Sequence, residues 1–299
     1  MTDILLMEIA SIGFSLRSTC FPIQRNTSPP YQQFIAGSNN ASCDTIIEIN
    51  LELDNLPDTE KMRRIFDSEQ AWTMFFDGKN YFLKLKPPTL HEPVWIARFG
   101  SGFNKATIYY SESFCSKESG KVSVLNPVSY PLDQLLLMYI LSRREGIIIH
   151  AAGIHINGRG FIFPGKSGAG KSTLSRLFAC RNGVEVLSDD RIVVRKINNT
   201  FKAYGTPWPG EEGIAINKTA SLVGMFFILH AGYNRIEEIK PQKALENILP
   251  VVSIPWYDKE TMIKILDFCD DLISNIPAYE LHFRPDNEIA DVFEKFAYK

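Results

Sequence analysis

The 299-residue chain is 45% hydrophobic and 22% charged, with 32 Lys and Arg against 34 Asp and Glu. A chain of this length and apolar content can build a substantial core, as one large domain or two. The net charge of -2 supplies no cation excess for gripping a polyanion, which argues against nucleic acid as a partner.

Taken in chain order, the apolar stretch over residues 1–10 is interrupted by Asp3 and Glu8 and follows no basic region, so it does not read as a secretory signal. Residues 24–42 are crowded with Asn, Ser, Pro and Gly and read as a loop or mobile segment. Residues 80–85, 94–99 and 106–110 mix aromatic and β-branched side chains between turn-forming punctuation, the pattern of short strands. These features predict a β-rich or α+β N-terminal domain over residues 1–128. From Pro131 the texture changes, because Leu132, Leu135, Leu136, Tyr139 and Ile140 follow the three-and-four spacing of a helix. The boundary is therefore expected near 126–131, with a second domain over 129–299 and the helix running to Gly146. A buried strand over 147–149 ends at His150, and Asn157-Gly158 joins two further strands as a hairpin.

The second hairpin arm runs into Gly165-Lys166-Ser167-Gly168-Ala169-Gly170-Lys171-Ser172, followed by Thr173 and a helical pattern through Leu174, Leu177 and Phe178. This fits G-x-x-x-x-G-K-[ST] at every fixed position, between a strand and a helix. Small residues let backbone N–H groups converge on phosphate oxygens, and the helix aims the positive end of its dipole at them. Lys171 adds a point charge toward the β- and γ-phosphates, and the Ser172 hydroxyl suits Mg²⁺. A glycine-rich turn with an exposed lysine is the competing explanation, and it does not account for Lys171 and Ser172 together. The helix should stop near Asn182-Gly183, and a strand over 184–187 then delivers Ser188, Asp189 and Asp190. Neighbours at a strand end point in opposite directions, so the two carboxylates should take two roles, one facing an acceptor and the other a metal or backbone donor. An aspartate-rich turn is the alternative. His150 is a candidate phosphate partner set against a satisfied core histidine, whereas His91, His155, His230 and His282 default to structural or surface roles. No run of about 18 apolar residues occurs, so neither a membrane span nor a membrane partner is expected, and the cytoplasm is the expected compartment. Cys20, Cys43, Cys115, Cys180 and Cys269 are odd in number and widely spaced, and read as reduced structural thiols.

His150-Ala-Ala-Gly, the Asn-Gly hairpin, the 165–172 loop and Ser188-Asp-Asp190, in this order and spacing, resemble the catalytic domain of HPr kinase/phosphorylase and its wider group of HPr-kinase-like proteins, some of them associated with peptide modification. Thr206-Pro207-Trp208 matches an element often found in that group after the paired aspartates. The resemblance covers roughly 131–299. It implies an α/β P-loop kinase domain related to phosphoenolpyruvate carboxykinase, using ATP and Mg²⁺ to phosphorylate a hydroxyl, most naturally a serine of a protein or peptide. It further implies Asp189 as general base, His150 and Lys171 beside it, the loop 165–173 around the nucleotide, and Ser172, Asp190 and Glu212 or Glu211 toward the metal. The family's glycine-rich signature is replaced here by Pro209-Gly-Glu-Glu-Gly-Ile-Ala-Ile-Asn217, which argues against phosphorylase activity and against HPr as the acceptor. A surface glutamate pair is the plain alternative for Glu211 and Glu212. Arg235, Arg284, Lys166 and Arg191 are candidates for neutralising transition-state charge, each also readable as a surface residue. A small-metabolite kinase and a nucleotide-binding switch without turnover are the rival functions. The family forms hexamers, so a homo-oligomer is a further expectation. The N-terminal domain would recruit the acceptor.

Overall fold

The computed structural model describes residues 2–19, 21–25, 28–36, 43–118 and 121–297, a mixed α/β protein with several sheets and few helices. It divides into two compact units, Met1–Ile140 and Leu141–Lys299.

In the first unit come β1 (Asp3–Ile9), β2 (Ile12–Ser18), β3 (Ile23–Gln24), α1 (Pro29–Gln32), β4 (Thr45–Leu53), β5 (Arg63–Asp67), β6 (Trp72–Phe76), β7 (Asn80–Leu85), β8 (Trp95–Gly100), β9 (Lys105–Tyr110), β10 (Ser116–Glu118), β11 (Lys121–Leu125) and α2 (Leu132–Leu141). One eight-stranded sheet runs β1-β2-β4-β9-β8-β7-β6-β5, with β2, β4 and β9 parallel neighbours and the remaining pairs antiparallel. Along β4, Ile47, Ile49 and Leu51 are buried while Ile46, Glu48 and Asn50 are exposed, the period-two pattern that fixes which face meets the core. The segment expected to be a loop over 24–42 contains α1 and a bridge from Ile35 to Met7, while 37–42 and Cys20 lie outside the described residues.

The helix at Pro131 is real but shorter than expected, and it falls with the first unit. Tyr139 explains the second point: its ring stacks on Phe103 at 3.8 Å between centroids, and Phe103 packs on Tyr81. The helix stops at Leu141 because Arg144 N–H turns back to the Leu141 carbonyl and Glu145 takes a φ of 49°. Gly146, the expected stop, is instead the first residue of the next strand, where a Cβ would sit 2.9 Å from the Leu141 and Arg195 side chains.

The second unit contains β12 (Gly146–Ile156), β13 (Arg159–Pro164), α3 (Lys171–Ala179), β14 (Val184–Ser188), β15 (Arg191–Ile197), β16 (Thr200–Tyr204), β17 (Thr219–His230), β18 (Arg235–Glu238), α4 (Pro241–Ile248), α5 (Lys259–Asn275), β19 (Ala278–Phe283) and α6 (Glu288–Ala297). Pairing runs β13-β12-β15-β16-β17 and returns from β17 to β13, so five strands close a circuit; β17 continues into β19 and β18, and β14 pairs with β12. β12 is one continuous strand of 11 residues, so His150 lies within a strand and not at its end. Its GIIIHAAGIHI sequence is buried almost throughout because strands flank both edges and α3 and α5 pack on it. The core on the α3 side is aromatic: Phe163 lies 5.7 Å from Phe178 and 5.4 Å from Phe293, and Phe226 lies 4.9 Å from Phe293. Each such buried ring contributes about 1.5–3 kcal/mol, which anchors α3 and α6 against β13 and β17. No helix among the described residues is long and apolar enough to cross a membrane.

Candidate functional site

β13 ends at Pro164 in the core, and the chain enters the 165–170 loop with Gly165 N–H bonded to the His150 carbonyl of β12 at 3.1 Å. The loop turns where Ala169 N–H meets the Lys166 carbonyl, and Gly168 and Gly170 adopt φ values of 80° and 99°. Those left-handed angles favour glycine, and at Gly170 a Cβ would also press on the Phe283 ring at 3.3 Å. Helix α3 begins at Lys171, whose side chain is only 5% exposed and whose Nζ donates to the Gly165 and Lys166 carbonyls at 2.9 and 3.0 Å. Burial pulls the Lys171 pKa below its ordinary value; Asp190 opposes that shift, Arg191 adds to it and Asp189 opposes it.

The acidic pair arrives from β14. Ser188 accepts from Asp190 N–H and Arg191 N–H through its hydroxyl, turning the chain into β15, and the Asp190 carbonyl accepts from Ala151 N–H at 2.9 Å. That register sets Arg191 opposite His150, and the His150 Nε2 meets Asp190 Oδ1 at 2.7 Å. Burial pushes the Asp190 pKa up, but the hydrogen bond from His150 and the charges of Arg191, His150 and Lys171 outweigh it, so the carboxyl lies below its ordinary value.

The two aspartates separate as their alternation requires. Asp189 is 1% exposed: its Oδ1 accepts from Gly210 N–H at 2.9 Å and its Oδ2 from Glu212 N–H at 2.8 Å. Both its oxygens accept from backbone donors, so the side chain anchors the 210–212 segment to the end of β14. Asp190 is the member of the pair that lines the cleft.

Residues 205–217 are drawn over the site by that anchor and by further ties. Thr206, fully buried, donates to the Arg191 carbonyl at 2.7 Å; Ile216 N–H donates to the Leu187 carbonyl; and Ser188 bridges Ala215. Gly210 sits where a Cβ would lie 2.9 Å from Asp189 Oδ2. The loop brings Gly210 and Glu211 to the cleft, whereas the Glu212 side chain turns to Arg176 of α3 at 3.7 Å. Of the two glutamates weighed as a metal ligand, it is Glu211 that reaches the cleft.

The resulting cleft has a volume of about 330 Å³ and gathers Ser167, Gly168, Gly170, Lys171, Ser172 and Thr173 from the loop and helix, with His150, Asp190, Glu211 and His230. Ser172 and Glu211 bring oxygen donors, the kind a hard divalent cation takes, to the same cleft, so the residues present fit Mg²⁺. Lys166 is exposed and joins the site through its carbonyl. Arg191 lies 3.6 Å from Asp190, while Arg235 pairs with Glu237, and Arg284 with Asp286 and Glu288. Neither of these last two arginines lines the cleft. His155 is held by Glu185 and Gly158, in keeping with a structural role. His230 is the residue that sequence reasoning passes over: it closes β17, and its Nε2 lies 3.2 Å from the Gly168 carbonyl. Its one legible signal is its position at the end of a strongly apolar strand pattern. Cys43, Cys115, Cys180 and Cys269 are free thiols; Cys269 is buried and Cys180 exposed.

No protein-family model and no curated protein sequence matches the chain. Among solved structures it is similar to the HPr(Ser) kinase/phosphatase from Coxiella burnetii, at 15% identity and a TM-score of 0.30, over 50% of this chain and 95% of that one. A likeness of that size assigns no activity, which rests on the residues themselves.

Proposed function

We propose that the second unit is a P-loop kinase domain of the HPr kinase and phosphoenolpyruvate carboxykinase type, which binds ATP with Mg²⁺ and transfers the γ-phosphoryl group to a hydroxyl, a serine of a protein or peptide. The observation that carries this reading is the convergence on one cleft of a buried Lys171 at a glycine-rich turn and a His150–Asp190 pair. The N–H groups of 165–172 receive the phosphates at the start of α3, and Lys171 leaves its two carbonyl partners to meet phosphate oxygens. Ser172 and Glu211 would hold Mg²⁺. When bound, the ion supplies charge neutralisation at the phosphate oxygens.

Asp190 orients the acceptor hydroxyl and takes its proton as the new oxygen–phosphorus bond forms and the bond to the β,γ-bridging oxygen breaks, releasing ADP. His150 holds Asp190 in place through Oδ1, and Oδ2, 3.6 Å from Arg191 Nε, would meet the acceptor. Asp189 acts at one remove, fixing Gly210 and Glu212 so that Glu211 faces the cleft. The ordered run of 205–217 along the cleft favours turnover over a passive nucleotide switch.

The test is transfer of label from γ-labelled ATP with Mg²⁺ into a host extract, small and large products being resolved, with Lys171→Ala alongside. A labelled protein or peptide band that vanishes in the variant is expected. Label confined to a small metabolite would change the acceptor class, and ATP binding without transfer would reduce the protein to a nucleotide sensor. Lys171→Ala should weaken ATP binding by roughly 10- to 100-fold, the loss expected for hydrogen bonds to a charged group.

A further inference from the structure

Whether a glycine-rich loop binds an anion depends on which way its peptide groups face, since N–H groups attract phosphate and carbonyls repel it. The Gly165 and Lys166 carbonyls at the base of this loop are engaged by Lys171 from within the motif. Near the tip, the Gly168 carbonyl is engaged from outside it, by His230 at 3.2 Å. A carbonyl oxygen can only accept, so Nε2 of His230 carries the proton in this contact.

His230 is well fixed for such a task. It ends β17 in register with Phe283 of β19, and in a parallel pair these two side chains share a face. Both meet the loop: a Cβ at Gly170 would lie 3.3 Å from the Phe283 ring and 3.6 Å from His230 Cε1. Behind it, Ala231 N–H bonds the Phe283 carbonyl at 3.0 Å, and Asn234 ties the following turn to Arg284 and Asp286. The imidazole therefore presents its N–H from a strand end locked to its neighbour.

We propose that His230 is a positioning residue of the nucleotide site, whose Nε2–H holds the Gly168 carbonyl out of the phosphate path so that the N–H groups of the loop face the nucleotide. This rests on the nucleotide-binding reading above. Because it acts through the shape of the loop, it serves ATP and ADP alike.

Calorimetric titration of the full chain with ATP and with ADP, each with Mg²⁺, tests it on wild type, His230→Ala and His230→Gln. The glutamine amide nitrogen can occupy the place of imidazole Nε2, so it restores the bond without the ring. His230→Ala is expected to weaken both nucleotides by a similar factor, roughly 3- to 10-fold for one net hydrogen bond, and His230→Gln to recover most of that loss. Unchanged affinity in His230→Ala overturns the proposal. So does a loss confined to ATP that glutamine does not repair, which would make His230 a direct partner of the γ-phosphoryl group. Failure of the wild type to bind either nucleotide would instead overturn the nucleotide reading itself. His230 is exposed, so equal thermal unfolding of the three proteins without nucleotide is the control for folding.

Discussion

The two units solve the same problem, how a large sheet buries its apolar residues, in different ways. In the first unit the sheet runs out at β5, which is exposed along most of its length, and glycines such as Gly78 and Gly100 have open space where a Cβ would go. In the second, the strands close on themselves, and Gly170, Gly205 and Gly210 are hemmed in by a ring, a backbone carbonyl and a carboxylate. These three glycines are demanded by what approaches them, and two of them border the candidate cleft.

One methyl group added to each unit puts the contrast under the greatest strain. In Gly205→Ala the new Cβ would lie 2.0 Å from the Ile216 carbonyl oxygen and 2.7 Å from that of Leu187, both backbone atoms that cannot swing aside. The expected loss is about 3 kcal/mol or more, at the upper end for an overpacked interior. Gly100→Ala, at the end of β8 with nothing within 4 Å, should be neutral or should stabilise slightly by restricting the unfolded chain. Chemical denaturation of both variants reads the difference, and equal losses would erase the distinction between the units.

Two carboxylates probe the same contrast with an effect of comparable size. Asp77 in the first unit and Asp189 in the second each accept two backbone N–H groups, at 2.8 and 2.7 Å for Asp77 and at 2.9 and 2.8 Å for Asp189. Water can replace an exposed carboxylate, but at a site 1% exposed it cannot do so readily. Asp189→Ala strands two donors at about 1–3 kcal/mol each and should loosen residues 210–212, seen as faster amide exchange there. Asp77→Ala should cost clearly less, and its effect should stay within its own turn.

What can be read from the sequence follows the same division. The loop, its flanking strand and helix, the Asn-Gly hairpin and the acidic strand are legible because each is a local pattern of spacing and turn chemistry. The division of labour between Asp189 and Asp190 is half legible: strand alternation requires opposite directions, but only the arrival of Gly210 and Glu212 from more than 20 residues away decides which is buried. The closure of β17 on β13, which carries His230 to the loop, is a long-range pairing with no local signature. The helix over Leu132–Leu141 is legible as a helix, but its membership of the first unit is not, because the ring stacking of Tyr139 on Phe103 decides that and spacing does not.

A smaller effect again concerns the charge balance of the cleft. Burial lowers the Lys171 pKa, and Asp190 is the strongest influence holding it up. Removing that negative charge in Asp190→Asn disfavours the ammonium form further, so the lysine loses its proton at a lower pH. ATP binding should therefore begin its alkaline fall at a lower pH in Asp190→Asn than in wild type, as titrations between neutral and alkaline pH would show. The acid side carries the opposite sign. Because the Asp190 pKa lies below its ordinary value, its contribution to stability is complete above that value and is lost as pH falls through its folded value. Acid unfolding of Asp190→Asn should lack that component.

The smallest expected difference lies between two ion pairs, and it asks whether the contrast between units extends to their surfaces. Lys196 and Asp271 in the second unit lie 2.6 Å apart with side chains 17% and 35% exposed, and the Lys196 ammonium also sits 5.1 Å from the centre of the Phe201 ring. Lys105 and Glu48 in the first unit are 3.2 Å apart at 75% and 63% exposure. Solvent screens the second pair almost fully, and two long side chains lose rotamer freedom to form it, so a double-mutant cycle should give a coupling of about 0–0.5 kcal/mol. The partly shielded pair should couple by about 1 kcal/mol, and the Lys196→Met single variant should keep part of the packing on Phe201 while losing the salt dependence. Equal couplings in the two cycles would mean that the difference between the units is confined to their interiors and to the cleft.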